Sequence, residues 1–494
     1  MTIKLDGNSL NLDRCREIGA GAPLELCSEA LKRVESSYQA VQKIAKNGAP
    51  VYGVNTGFGY FAREAITKDK LAELQLNILR SHASGWGEPL SLEAIRLALA
   101  LRLNVLLKGC TGVSRALCEK LALLANRGIY PWIPRLGSVG ASGDLAPLAH
   151  LALPLIGEGR VWYKGSWMPA HEALNKEGIE PHRLREKEGL GLINGTQIML
   201  AVGGLALEKA LRISTLADRT AALTYEGMNS SLTPLDPRIH EARGQKGQIF
   251  CAARILENLQ GSYLHDPKRV PLRLQDPYSL RCAPQVHGAS LDALDYCKGV
   301  VERELNAATD NPLVFGDEVV SGGNFHGQPL ALAFDFAALA IAELTNISDR
   351  RIEVLMNSHM SQLPAFLTPE PGLCSGYMAA QYLTASIVNR GKVLSHPASS
   401  DSIPGNVGIE DHVSMGTNAA LKFSEIVDNA LAVFAVEALS ACQAIDLRGV
   451  FPLGNETKAL YEAVRGAVPT LKEDRIISED IFKVVDVFKR LWFT

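Results

Sequence analysis

With 494 residues, 47% hydrophobic, and a formal net charge of −3, the chain can bury a large core and presents no basic face for a polyanion, so nucleic acid is not an expected partner. Its nine cysteines are odd in number, scattered and free of any Cys-x-x-Cys, which argues against a zinc ribbon or a disulfide framework and fits a reducing cytoplasm.

In chain order, the N-terminal run Met1-Thr2-Ile3-Lys4-Leu5-Asp6-Gly7 lacks the apolar core of a signal peptide. Tyr52-Gly53-Val54-Asn55-Thr56-Gly57-Phe58-Gly59 reads as a glycine-rich aromatic loop without the strand–turn–helix frame of a dinucleotide site. Residues 92–127 read as helical, with a break near Gly109-Cys110-Thr111-Gly112. Val161-Trp162-Tyr163 and Ser166-Trp167, joined by Lys164-Gly165, predict a small hairpin. Helical periodicity then dominates over 196–226, 329–356 and 415–443, lengths that predict a bundle of long, mutually buried helices. Apolar runs such as 198–207 stop at Glu208 and Lys209, short of a membrane span. The expected fold is mainly α: a smaller mixed N-terminal lobe over 1–195, then a long helical bundle with C-terminal helices over 196–494. No linker or internal repeat is evident, and no histidine cluster has metal-ligand spacing.

Residues 137–148 read Gly-Ser-Val-Gly-Ala-Ser-Gly-Asp-Leu-Ala-Pro-Leu. Gly143 has no Cβ, so its nitrogen can approach the carbonyl carbon of Ala141 closely. Attack there closes a five-membered ring. Loss of water from the ring, and of the Ser142 hydroxyl as a second water, leaves a methylidene on an imidazolone: an electrophile made from the chain itself. The plainer reading is a turn before a helix, with Pro147 in its first turn.

Other segments carry candidate chemistry beside equally plain readings. Tyr52 is a packed loop residue or a general base; as a base its phenol, ordinarily near about pH 10, needs nearby positive charge or donors. Asn194, ahead of the first long helix, reads as a helix-start or turn residue. Gln275-Asp276-Pro277-Tyr278-Ser279-Leu280-Arg281 sets Tyr278 and Arg281 on one helical face, and arginine's planar fork matches a carboxylate. Arg281 alone reads equally as a surface ion pair. Asn311 and Asn324 read as helix caps, Phe325 as core, His82 as structural, and Glu410 in Glu410-Asp411-His412 as a partner of the helix dipole.

Together, in this order, these segments resemble the aromatic amino acid ammonia-lyases over nearly the whole chain, from Tyr52 to Tyr461-Glu462-Ala463-Val464-Arg465. The resemblance implies a 4-methylidene-imidazol-5-one from Ala141, Ser142 and Gly143, with no external cofactor and no metal. It makes Tyr52 the base for a β-proton, Asn194 a donor to the ring, and Arg281 the carboxylate grip. Tyr278 and Gln275 then lie near the reacting centre, and Phe325 against the ring. Ser81-His82 and Glu410 match the histidine-selective members, implying deamination of L-histidine to trans-urocanate. Gly408-Ile409 departs from the Asn-Gln of many such members, and His326-Gly327-Gln328-Pro329 looks closer to other aromatic lyases. A tyrosine or phenylalanine lyase, an aromatic 2,3-aminomutase, or an inactive helical scaffold are the alternatives. Whether the electrophile bonds the amino group or attacks the substrate ring stays open. The family also implies a cytoplasmic homotetramer with sites assembled from several subunits, and no membrane partner.

Overall fold

The computed structural model describes residues 2–47, 51–64 and 66–492. It is 62% helical, as the periodicity predicts. The chain forms two compact units: Met1–Glu208 with Lys298–Asp335 and Pro397–Leu421, and Lys209–Cys297 with Phe336–His396 and Lys422–Thr494. This division differs from the expected 1–195 and 196–494. Two segments far along the chain return to pack with the first unit, which a reading in chain order does not anticipate.

All strands among the described residues belong to the first unit. Ile3–Leu5 pairs in parallel with Leu24–Leu26, Trp86–Pro89 pairs antiparallel with Pro134–Leu136, and Leu313–Phe315 pairs antiparallel with Glu318–Val320. The expected hairpin is present: Arg160–Tyr163 pairs with Ser166–Pro169 and carries Tyr130–Pro131 on its other edge. Its turn uses Lys164 and Gly165, at φ +47° and +90°, the twist that suits a two-residue hairpin connection.

The core of this unit is built on Leu92–Leu107. Ser91 caps it by accepting from the Ala94 N–H, and thirteen of its sixteen residues are buried, as an all-round apolar helix requires. The expected break follows at Gly109, at φ +80°, where a Cβ would stand 2.5 Å from Cβ of Arg33. Ser114 then caps Arg115–Asn126.

Four helices begin in one unit and end in the other: Gln197–Gly227, Ala283–Glu304, Gln328–Met356 and Gly416–Arg448. The last runs five residues beyond the expected end at 443. Gln328–Met356 and Gly416–Arg448 are also long and apolar enough to cross a membrane, but 67% and 83% of their most apolar windows are buried inside the protein, as for core helices. Within the second unit, Ile477–Trp492 buries Ile481, Val484, Val487 and Phe488, a helical stripe at spacings of three and four.

Candidate active site

The Ala141-Ser142-Gly143 segment precedes helix Leu145–Ala152, as the plain reading required. Its surroundings are far tighter than those of an ordinary turn. Gly143 lies at φ +74°, and a Cβ there would stand 2.1 Å from the carbonyl oxygen of Gly195. The next N–H, of Asp144, donates to that same oxygen at 2.7 Å. Gly140 lies at φ +72°, and a Cβ there would stand 2.2 Å from Oγ of Ser414. Only glycine fits either place.

Asp144 anchors the segment. Fully buried, it accepts from the N–H groups of Ile198 and Met199 at 3.0 and 2.8 Å, and from the hydroxyls of Ser138 and Thr417. Burial raises its pKa, and these four donors oppose the rise. It thus binds the first turn of the long helix Gln197–Gly227 to the segment that carries Ser142.

A cavity of about 650 Å³ opens beside Ser142, and Tyr52, His82, Asn194 and Glu410 line it with Ser142. Five residues scattered over 52–410 thus meet at one place. Leu74, Ile78, Leu145 and Leu190 supply apolar wall. Among the described lining residues there is no lysine or arginine.

Asn194 is buried, and its side-chain Oδ1 has no hydrogen-bond partner. Its backbone carbonyl accepts from the fully buried Arg102 at 2.6 Å. Burial brings the Arg102 guanidinium down to about 10. A cavity-lining asparagine with a buried, unpartnered amide oxygen next to the Ala-Ser-Gly turn, and a Gly143 backbone clear of any side chain, fit an imidazolone ring at 141–143.

Glu410 does not serve a helix start. The following helix begins at Gly416, and the Glu410 carboxylate accepts from the Ser142 hydroxyl at 3.0 Å. A tight reversal presents it: Gly405 N–H donates to the Glu410 carbonyl at 2.7 Å, and Asn406 and Val407 lie at φ +49° and +54°. A β-branched residue at positive φ is strained, and such strain gathers at functional sites. Ile409, the departure from the histidine-selective pattern, is 63% exposed and does not line the cavity.

His82 has Nδ1 3.0 Å from the carbonyl of Ile78 and 3.0 Å from the Ser81 hydroxyl. A carbonyl only accepts, so Nδ1 carries the hydrogen and Nε2 keeps a lone pair. Burial lowers the His82 pKa, against the opposing pull of the Ile78 carbonyl and Glu410, which favours this neutral form.

Tyr52 departs from what its candidate role requires. Burial raises its pKa, and the charges of Glu410 and Asp310 raise it further. Only the Gly59 N–H, donating to the phenol oxygen at 3.3 Å, pulls the other way. The positive charge that a tyrosine base needs is not among these influences.

Gln275, Tyr278 and Arg281 form a separate group in the second unit. Tyr278–Arg281 is a single helical turn, the Arg281 guanidinium lies 4.8 Å over the Tyr278 ring, and it donates to Gln275 Oε1 at 2.8 Å. The shared face read from the sequence is therefore real. Tyr278 is 71% exposed. Phe325 is half-buried and is not among the residues that line the cavity. Asn311 and Asn324 do not cap helices: Asn311 accepts from the Gly322 N–H and Asn324 donates to the Ala308 carbonyl, both within loops.

Residues 10–466 match the family described as aromatic amino acid lyase. The chain belongs to that family. It is 50% identical to the histidine ammonia-lyase of Geobacillus sp. (strain WCH70) over 97% of this chain and 95% of that one. Among solved structures, it is similar to histidine ammonia-lyase from Trypanosoma cruzi, with 42% identity, a TM-score of 0.93 and coverage of 99% and 94% of the two chains. Tyrosine aminomutase from Streptomyces globisporus is similar too, at 39% identity, a TM-score of 0.95 and coverage of 99% and 97%. The protein is a carbon–nitrogen lyase.

Two residues of the candidate site carry no assignment from the sequence. Asp144 was visible only as an acid next to a helix start, but it caps a different helix more than fifty positions away. Asn406 lines the cavity and accepts from the Tyr60 N–H at 3.2 Å, so it ties the Glu410 reversal to the Tyr52 loop. Nothing local distinguishes it from a turn asparagine.

Proposed function

We propose that this lyase converts L-histidine to trans-urocanate and ammonia, using a 4-methylidene-imidazol-5-one closed from Ala141, Ser142 and Gly143 and no external cofactor. The convergence of Tyr52, His82, Ser142, Asn194 and Glu410 on one cavity carries this reading. The ring supplies an electron sink that makes ammonia a leaving group. Asn194 lines the cavity beside it and offers an amide N–H, a neutral donor that does not titrate. The lone pair of His82 Nε2 and the carboxylate of Glu410 are acceptors for the N–H groups of an imidazole or imidazolium. Tyr52 takes the β-proton.

The amino acid carboxylate needs a cation, and the cavity lining has none among the described residues. Arg281 fills that role, with Tyr278 and Gln275 beside it. In this reading the Tyr278–Arg281 turn, whose Tyr278 stands in solvent, presents its side chains to the cavity of another copy, in a cytoplasmic homotetramer whose sites are shared between subunits. Arg281 then also brings the positive charge that Tyr52 lacks. Phe325 packs against the ring in the same assembly.

The likeness to a tyrosine aminomutase supports a second reading, in which the substrate is tyrosine or phenylalanine and ammonia is returned to the β-carbon. His82 with Glu410 weighs against it, because a site built of polar groups rejects an apolar ring that leaves them unpaired. Purified protein incubated separately with histidine, tyrosine and phenylalanine decides the matter, with conjugated acids followed by absorbance and β-amino acids by chromatography. Histidine is expected to react best and to give urocanate. Good turnover of tyrosine or phenylalanine with little of histidine would overturn the substrate but leave the lyase chemistry standing.

A further inference from the structure

The Tyr278–Arg281 turn is four residues long, and a single helical turn has little stability of its own. Its inner residues root it: Ser279 is 8% exposed and Leu280 is fully buried, while Tyr278 stands out in solvent. Two buried side chains reach its backbone. The Ser279 carbonyl accepts from the Arg351 guanidinium at 3.3 Å, and the Leu280 carbonyl accepts from the Tyr225 hydroxyl at 2.8 Å.

Arg351 is held from both sides. Its Nε and Nη2 donate to the two oxygens of Glu437 at 2.5 and 3.1 Å, and both residues are fully buried. Glu437 also accepts from the hydroxyls of Thr220, Thr224 and Ser348 at 3.1, 2.9 and 2.6 Å. On the other side, Arg351 Nη1 lies 3.2 Å from Nε2 of His287. Arginine only donates, so that nitrogen accepts and Nδ1–H of His287 donates to Asp218 at 2.5 Å. Asp218 in turn pairs with Arg254. Burial depresses the His287 pKa, in keeping with a neutral ring between Asp218 and Arg351.

Such a network is a poor way to gain stability. Buried ion pairs can often be replaced by apolar residues without loss, because desolvation offsets their attraction. The second-unit portions of four helices nevertheless chain Asp218, His287, Arg351 and Glu437 together, and from the middle of that chain Arg351 reaches the backbone of the Tyr278–Arg281 turn.

We propose that Arg351 is a positioning residue for the reaction: clamped by Glu437 and His287, it holds the Ser279 carbonyl and, with Tyr225 on the Leu280 carbonyl, aims Arg281 and Tyr278 at the substrate. This rests on the reading that Arg281 grips the substrate carboxylate. The network does not touch substrate. It fixes the angle at which the fork of Arg281 is presented, and fork-to-carboxylate pairing depends on that angle.

A double-mutant cycle on the full-length protein tests it. Tyr225→Phe removes one hydroxyl from a near-isosteric side chain, and Arg351→Lys keeps the charge but loses the fork. Each is made alone and with Arg281→Lys, and intact mass checks that all variants carry the same modification. Tyr225→Phe is expected to lower kcat/KM about fivefold, the weight of one neutral hydrogen bond, and Arg351→Lys about tenfold or more. In the Arg281→Lys background both losses are expected to vanish nearly completely, because there is no longer a fork to aim. Full additivity, with Arg281→Lys itself impaired, overturns the proposal and leaves the role of Arg281 intact. Near-normal kinetics of Arg281→Lys alone overturn the carboxylate reading, and the proposal with it. Should Arg351→Lys not fold, the Tyr225→Phe arm decides by the same criterion.

Discussion

Gly143→Ala separates the geometry of the Ala-Ser-Gly turn from its chemistry. Two terms add at this position. The backbone stands at φ +74°, where an L-residue other than glycine costs about 1–2 kcal/mol. The new Cβ would also stand 2.1 Å from the Gly195 carbonyl oxygen, which is backbone and cannot swing aside. Overpacking of that kind costs about 1–3 kcal/mol. The expected destabilisation is therefore about 2–5 kcal/mol. Gly165→Ala is the control: its φ is +90°, but a Cβ there meets nothing within 4 Å, so only the backbone term applies. Both variants are unfolded in urea at one protein concentration, beside the parent, and their intact masses are recorded. Gly143→Ala is expected to fall well below Gly165→Ala in stability and to retain water that the parent has lost. Equal stability of the two would refute the close approach of Gly143 to Gly195, and with it the argument that this position admits only glycine.

Ser142→Ala is expected to match the parent in urea unfolding, to show no loss of a second water by mass because alanine has no hydroxyl to eliminate, and to lose turnover by about a thousandfold or more, the scale of losing a central catalytic group. Active protein of unmodified mass would refute the electrophile. Arg281→Lys is expected to lower kcat/KM about tenfold to a hundredfold while folding normally, since a charge-assisted bidentate contact is lost. His82→Phe is expected to shift the ratio of histidine to phenylalanine turnover by about a hundredfold toward phenylalanine, and an unchanged ratio removes His82 from recognition. Burial depresses the pKa values of His82, His150, His240 and His287. The unfolded state then binds more protons, so stability rises with pH in this window: it is fully present above about pH 6.5 and is lost as pH falls through the depressed values. Urea midpoints at pH 7.5 and 5.5 check this, and a flat profile contradicts it.

How legible each feature was follows from the range of the interactions behind it. The hairpin at 160–169 and the break after Leu107 were readable because turn chemistry and periodicity act over a few residues. Ser142, Asn194, Tyr278 and Arg281 were readable as candidates because each sits in a dense local motif. The packing that makes those motifs work was not. The contact of Gly143 with Gly195 and three of the four donors to Asp144 come from segments fifty to almost three hundred positions away. Asp218 and Arg219 are adjacent charges in one long helix, yet Asp218 is fully buried in the network behind the Tyr278–Arg281 turn, while Arg219 pairs with Glu456 near the surface. A charge inside a helix looks the same in sequence whether water or a buried partner satisfies it. The division into units was illegible for a related reason, since the segments 298–335 and 397–421 carry no mark of where they return.

Charge is the argument for the shared site proposed above. The cavity holds the carboxylate of Glu410, a histidine that burial keeps neutral, and a tyrosine whose pKa its neighbours raise. An amino acid brings a further carboxylate into these surroundings, and a proton must leave its β-carbon toward that tyrosine. Without a cation, both events are disfavoured by the same negative charge. A single arginine placed between the substrate carboxylate and the phenol favours both, because it pairs with one anion and lowers the pKa of the other. Tyr225 and Arg351 hold the turn of Arg281 by the backbone, and the half-buried Arg281 side chain rests on Tyr278 and Gln275, both exposed. In the proposed assembly, binding, proton abstraction and subunit association therefore depend on the same guanidinium. Its aim is set from within its own subunit, by residues that never meet the substrate.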